Sequence, residues 1–156
     1  MQKPSFARAA ALALSFLVAF AGALGAGLVR AQHATAVLIG DSGAVVGGAP
    51  AAAALDDALH AALEAQPGVR VEGRVDHARY VLTGSIIEWQ SRDLGDEHEV
   101  RCAVSIVVSD ASGAVRAMLS GRAGARGEGN LDILRDRALF AATRSALRPL
   151  GTETLR

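Results

Sequence analysis

The feature that most constrains the fold of this chain is a strict alternation of residue types near its middle. Its apolar members are Val100, Cys102, Val104, Ile106 and Val108. Arg101 and Ser105 lie between them, so the pattern predicts a β-strand with one face in the core and one wetter face.

A second alternating segment follows this strand after a turn. Residues 109–113 read Ser-Asp-Ala-Ser-Gly, which is typical of a hairpin loop. Val115, Ala117 and Leu119 resume the alternation beyond the loop. The pattern predicts an antiparallel hairpin whose second arm runs to about Arg122. The glycines that follow predict a flexible stretch at residues 124–129.

Three further strands are predicted at residues 35–39, 69–72 and 80–89. The first is an apolar run that ends at a Gly-Asp-Ser-Gly turn, and the last is rich in Val, Ile, Thr and aromatic residues. A turn at residues 76–79 and a polar connection at residues 94–97 flank this last strand.

Two helices are predicted by apolar residues that recur at helical spacing. Leu55, Leu59 and Leu63 lie on one face of a helix over residues 51–66, which Pro67 and Gly68 end. The second helix is capped by Asn130 and ends before Pro149. Its periodic residues are Leu131, Leu134, Ala138, Ala141 and Ser145.

This order of elements predicts the fold class. One strand, one helix and one strand are followed by three strands joined as hairpins and by a closing helix. We expect an α+β fold with a mostly antiparallel sheet of four to five strands and both helices packed on one face. Residues 32–156 are long enough for a single domain of this kind.

The first thirty or so residues have the order of a secretory signal. Lys3 and Arg8 are followed by a stretch without charge, residues 9–29. We expect a signal peptide at residues 1–31, with cleavage after Ala31 and a periplasmic or secreted product. Cleavage after Ala23 is a second candidate. The alternative is an uncleaved anchor in the inner membrane, since about twenty residues of helix cross a bilayer.

The charge of the chain argues against nucleic acid as a partner. Its 16 Lys and Arg balance its 16 Asp and Glu, but removal of residues 1–31 takes away three basic residues and no acidic one. The exported form is then negative, which disfavours binding to phosphate backbones. A membrane is expected as a partner only if the leader is uncleaved.

The histidines, the cysteine and the serines of the chain form no recognisable catalytic or metal-binding motif. The four histidines lack the spacing of metal ligands, and His98 between Glu97 and Glu99 is the best of a weak set. The alternation places Cys102 on the apolar face, as a buried thiol. Ser42 lies in a glycine-containing turn without a phosphate-loop or nucleophile-elbow motif. We therefore expect no catalytic residue, no metal site and no cofactor.

One surface feature is a candidate for binding. Arg116 and Arg122 share a parity on the second arm of the hairpin, and Arg101 comes from the wetter side of the first arm. Arginines aligned in this way could receive carboxylates of a partner through bidentate hydrogen bonds. The alternative is an ordinary solvated sheet face.

Two stretches of the chain resemble known exported proteins. Residues 78–86, read as Ala-Arg-Tyr-Val-Leu-Thr-Gly-Ser-Ile, followed by a hairpin and a helix, resemble the periplasmic domains of penicillin-binding-protein activators and curli-secretion assembly proteins. A lipid-anchoring cysteine is missing after the apolar run. Residues 100–105 and 117–121 are similar to strands of uncharacterised exported proteins, a resemblance that implies no activity.

Together these observations predict an exported, non-enzymatic envelope accessory or binding module. Its partner would be an envelope protein, bound through a sheet edge or through the arginine face of the hairpin. One alternative is a small metal-dependent or hydrolytic enzyme that uses His98 with neighbouring acids. Another is a structural domain held at the membrane by its leader.

Overall fold

A computed structural model describes residues 34–45 and 47–151 of the 156-residue chain. Its strands are β1 (Thr35–Ile39), β2 (Gly43–Ala44), β3 (Val69–Val71), β4 (Tyr80–Asp93), β5 (His98–Asp110) and β6 (Val115–Gly127). Its helices are α1 (Gly48–Glu64) and α2 (Leu131–Leu147), with short 3-10 turns at Val75–His77 and Arg148–Gly151. The predicted signal peptide, residues 1–31, lies outside the described residues, so its cleavage and the domain boundary after it stay predictions.

The strands form one mixed sheet in the order β3-β1-β4-β5-β6, and β2 pairs with β4. β4, β5 and β6 pair in antiparallel register over nearly their whole lengths. β1 pairs in parallel with β3 and β4, and β2 with β4, over two or three residues each. The predicted α+β class with a mostly antiparallel sheet is therefore confirmed. The short parallel pairings were not part of the expectation.

Both helices pack on the same face of the sheet, as predicted. We call it the covered face. The leucine stripe of α1 is fully buried against it, at Leu55, Leu59 and Leu63. The C-terminal ends of the helices are tied together by Gln66, whose Nε2 donates to the carbonyl oxygen of Leu147 at 3.2 Å.

Close packing of α2 on β6 depends on a glycine. A Cβ atom at Gly121 would collide with the carbonyl oxygen of Ala142 and lie 2.5 Å from the backbone nitrogen of Ala146. The strand and the helix backbone therefore touch at a position where no larger residue fits.

The structure corrects several predicted boundaries. β6 continues to Gly127, so residues 124–127 belong to a strand and not to a flexible stretch, because the ladder with β5 supplies the hydrogen bonds that glycine-rich sequence does not suggest. β4 runs to Asp93 rather than Trp89. The sheet also gains β2 within the region read as a turn.

The first helix begins earlier than its leucine stripe indicates. α1 starts at Gly48, after an N-cap residue, Gly47, with a φ of 96°. Glycine adopts this left-handed conformation without steric cost. Within the described part of the chain, neither helix combines the length and apolar character that a membrane crossing requires.

Candidate protein-binding surface

The face of the sheet opposite the helices, which we call the open face, carries the three arginines singled out in the sequence. Across β5 and β6 the register pairs Ala103 with Arg122 and Arg101 with Gly124, so both arginines project from this face on adjacent strands. Arg116 has the same parity on β6 as Arg122. It lies six residues away, roughly 20 Å along the strand. The three side chains therefore share a face without forming one cluster.

Arg101 is engaged by a carboxylate of its own strand. Its Nε and Nη2 donate to Oε1 of Glu99 at 3.0 and 2.9 Å. The two residues are two apart on β5 and both lie on the open face. The guanidinium remains largely exposed, but its charge is already balanced by this neighbour.

Arg116 is held by the hairpin loop between β5 and β6. Its Nε donates to Oδ2 of Asp110 at 2.7 Å. The other carboxylate oxygen of Asp110 accepts from the Ser112 hydroxyl at 2.6 Å and from the backbone nitrogens of Ser112 and Ala114. The Ser112 hydroxyl first, and Arg116 next, hold the pKa of Asp110 below its usual range. Arg116 is thus a structural part of this turn.

Arg122 differs from the other two. It is exposed at the middle of β6, and among residues 34–45 and 47–151 no hydrogen bond or ion pair to it is found. Its neighbour across the ladder is Ala103, which offers no charge. Of the three predicted site residues, Arg122 is therefore the one whose guanidinium is free to meet a partner's carboxylate.

Sequence reasoning missed a further arginine of β6 on this face. Arg126 lies in the part of β6 beyond Arg122, and its Nε and Nη2 both approach Oε2 of Glu97 at 2.5 Å. The signal was available, because Arg126 continues the parity of Arg116 and Arg122. It was hidden by the expectation that the strand ended early.

The outer edge of β6 adds an unpaired backbone to this surface. The described sheet ends at β6, and this strand is 13 residues long. Met118 stands on the open face of the same strand and is 73% exposed. A long edge strand with an exposed apolar side chain is a template for strand addition by another chain.

The residues weighed for catalysis are dispersed. His98 Nδ1 lies 3.8 Å from Asp93 Oδ1, while its sequence neighbours Glu97 and Glu99 are turned to Arg126 and Arg101. In the described part of the chain, no group of three His, Cys, Asp or Glu side chains could hold a metal ion.

Neither Cys102 nor Ser42 lies in surroundings that would activate it as a nucleophile. Cys102 is 2% exposed on the covered face, and burial, with a smaller contribution from Glu88, raises its pKa to about 11. The hydroxyl oxygen of Ser42 is buried and has no hydrogen-bond partner among the described residues, so no base is at hand to take its proton.

A cleft of about 450 Å³ opens where the N-terminal ends of α1 and α2 approach β4. Trp89 and Arg135 line it together with Asp132 and Asp136. The indole Nε1 and the Arg135 Nε lack hydrogen-bond partners within the described residues, but both atoms are shielded from solvent. A ligand in this cleft would meet the indole ring, the two carboxylates and the exposed part of the Arg135 side chain.

Comparisons with known proteins identify the fold. No protein-family model matches the chain, and no significant match was found among curated proteins. The chain is similar to the structure of a PelC dodecamer from Paraburkholderia phytofirmans, with 21% identity, a TM-score of 0.56, and coverage of 77% of this chain and 89% of that one.

Two lipoprotein structures are also similar to it. One is an uncharacterised lipoprotein B from Nitrosomonas europaea, at 16% identity and a TM-score of 0.51 over 76% of this chain and 83% of that one. The other is a minor lipoprotein from Acinetobacter baumannii, at 12% identity and a TM-score of 0.50 over 76% and 93%. The α+β fold described above is thus one that bacterial lipoproteins adopt.

Proposed function

We propose that this protein is an exported, non-enzymatic accessory module of the bacterial envelope, and that it binds a protein partner along β6. The observation that carries the proposal is the combination found on β6: an unpaired outer edge, the exposed Met118 and the uncompensated Arg122. No element of the described chain covers this edge or the open face beside it.

Strand addition supplies the physical reason for choosing β6. An extended segment that joins an edge strand gains main-chain hydrogen bonds, while side chains on alternate positions determine which segment fits. On β6 the open-face positions present Met118, Ser120 and Arg122 in succession. Such a sequence suits a partner strand that places an apolar residue and a carboxylate four residues apart, matching the spacing of Met118 and Arg122.

Export is supported by the order of charge and apolar residues in the leader and by the likeness of the fold to those of lipoproteins. The resemblance to penicillin-binding-protein activators and curli-secretion assembly proteins suggests the same setting. The PelC structure is a dodecamer, so another copy of this chain is one form the partner could take.

The rival enzyme hypothesis has less support in the geometry. It needs His98 to converge with acids around a pocket, whereas Glu97 and Glu99 each bind an arginine. The third possibility, an anchored structural domain, depends on whether the leader is retained.

Location is tested by fractionating cells that express the chain and measuring the intact mass of the product. If the soluble periplasmic or secreted fraction contains a product whose mass is that of a chain beginning at Gln32, export with cleavage is supported. A full-length mass in the membrane fraction would replace this with the anchored alternative.

Partner binding is tested by placing a photo-crosslinking amino acid at Met118 in cells. We expect a discrete adduct, heavier than the protein, that a matched probe at the exposed Arg74 does not give. Met118→Lys with the probe at Ser120 should weaken the adduct, because a charge at this position opposes strand addition. Adducts of equal yield from both sites, or none from β6, would contradict the proposal.

A further inference from the structure

The outward side of α2 carries an unusual combination of residues. Ile133 and Phe140 are exposed to 51% and 39%, although both are large and apolar. Arg137, Arg144 and Arg148 are exposed beside them. We call these five residues the outer stripe of α2.

Helix geometry places the whole stripe in one sector. At about 100° per residue, the five side chains fall within roughly 80° of one another around the helix axis. Arg148 follows α2 directly and keeps helical backbone angles, so the stripe extends over about 22 Å. The buried residues of α2, such as Ala138 and Ala142, lie on the opposite side against the sheet. The stripe therefore faces away from the sheet, and Phe140 at its margin also borders a groove shared with α1.

The charge of the stripe is not neutralised by its surroundings. No ion pair to Arg137, Arg144 or Arg148 is found within the part of the chain that the structure describes. Asp57 and Asp136 line, together with Phe140, a groove between the two helices. Three arginines thus stand on one surface of a chain whose exported form is expected to be negative overall.

The combination of arginines with large apolar side chains on one helix surface indicates one kind of partner. An amphipathic helix with basic residues beside aromatic and aliphatic ones binds in the interface of a bilayer, where the apolar side chains enter the acyl boundary and the arginines meet phosphates. Nucleic acid would use the arginines but leave Ile133 and Phe140 without a role. We infer that the outer stripe of α2 is a docking surface for an anionic phospholipid bilayer.

The stripe and the proposed partner surface lie on opposite sides of the domain. The open face, with Met118 and Arg122 of β6, lies on one side of the sheet, and α2 covers the other. The inference does not rest on partner binding along β6, and both surfaces could be occupied at once. In an envelope protein, docking through α2 would leave the open face turned away from the bilayer.

The first test reports which surface meets the membrane. An environment-sensitive dye is attached at Ala141→Cys, next to the stripe, or at Ser120→Cys, on the open face. Labelling is specific because Cys102 is buried. With vesicles of phosphatidylcholine containing phosphatidylglycerol, we expect a blue shift of the dye at position 141 and none at position 120. Membrane insertion of a retained leader would not by itself produce a larger dye shift at position 141 than at position 120.

The second test removes the two parts of the stripe separately. Arg137→Gln combined with Arg144→Gln and Arg148→Gln should lower vesicle partitioning of the full chain by roughly a hundredfold, since each arginine near an anionic surface contributes about fivefold. Phe140→Ser should lower it about tenfold. A matched triple variant of Arg70, Arg74 and Arg92 to Gln should have little effect.

The outcomes separate the alternatives. Equal binding to phosphatidylcholine alone, an unchanged triple variant, or equal dye shifts at positions 141 and 120 would overturn the inference. Loss of partitioning at high salt together with the loss on Phe140→Ser would support it, because a bilayer uses both parts of the stripe. A stripe that captured an acidic protein but no vesicle would also overturn it.

Discussion

The two faces of the sheet are built from the same strands, but one face carries buried apolar side chains and the other carries exposed polar and charged ones. On the covered face β5 contributes Val100, Val104, Ile106 and Val108, all fully buried. On the open face the same strand contributes the neutral Ser105 and the ion pair of Glu99 with Arg101. The packing of the covered face against the helices therefore supplies most of the stability. The exposed side chains of the open face contribute little to stability and are available for binding. Substitutions on the two faces should therefore differ sharply.

The largest effect is expected at the closest contact of the covered face. Gly121→Ala would place a Cβ atom against backbone atoms of Ala142 and Ala146, which cannot move aside as a flexible side chain could. We expect a loss of about 3 kcal/mol or more in the free energy of unfolding. Chemical denaturation measures it.

A matched glycine on the same strand gives the control. At Gly127 an added Cβ atom would meet only Leu134 Cδ2, at an ordinary 3.7 Å. Gly127→Ala should change the free energy of unfolding by no more than about 0.5 kcal/mol. Equal effects of the two substitutions would mean that α2 does not press on β6 at Gly121.

A truncation on each face sharpens the comparison. Ile106→Ala removes a fully buried side chain from the covered face and should cost about 3 kcal/mol in unfolding free energy. Met118→Ala removes an exposed one from the open face and should change stability by less than about 0.5 kcal/mol. Denaturation curves of the two variants, measured side by side, give the difference. Comparable losses would indicate that something covers Met118 in the free protein.

The two faces should also differ in thiol reactivity. The native protein is expected to resist thiol reagents near pH 8, because Cys102 is buried and its pKa is raised to about 11. A cysteine placed on the open face by Ser120→Cys should react at once. Mass spectrometry after brief exposure to a maleimide distinguishes the sites. Rapid labelling of Cys102 would show that β4 and β5 separate readily.

Local patterns were enough to predict the antiparallel half of this fold. Alternation identified β5 and the start of β6, and the leucine stripe identified α1, because both signals depend on residues close in sequence. The end of β6 was missed, since Gly124 and Gly127 read as flexible until the ladder with β5 is known. The parallel pairings of β1 depend on partners far along the chain, which no local period encodes.

The candidate surface was predictable to the same extent. Parity placed Arg101, Arg116 and Arg122 on one face. Whether each arginine was free depended on side-chain contacts such as that of Arg116 with Asp110, which requires the turn geometry. The sequence therefore indicated the face but not that Arg122 differs from its companions.

The smallest expected effect concerns the pH dependence of the turn between β5 and β6. The pKa of Asp110 is lower in the folded protein than in the unfolded chain, chiefly through the Ser112 hydroxyl and then Arg116. Its carboxylate therefore contributes stability above the unfolded pKa, about pH 4, and this contribution is lost as the pH falls towards the folded value. A carbon-detected NMR titration should find Asp110 still charged below the pH at which an aspartate in an unfolded chain is protonated.

The Asp110→Asn variant tests this assignment through stability. Its free energy of unfolding should decline less steeply than that of the unmodified protein below about pH 4, because the group whose protonation differs between the two states is gone. Ser112→Ala should bring the pKa of Asp110 closer to normal while leaving Arg116 in place. If Asp110 titrated normally in the folded protein, the loop would not be organised by this carboxylate, and Arg116 would join Arg122 as an arginine free to bind.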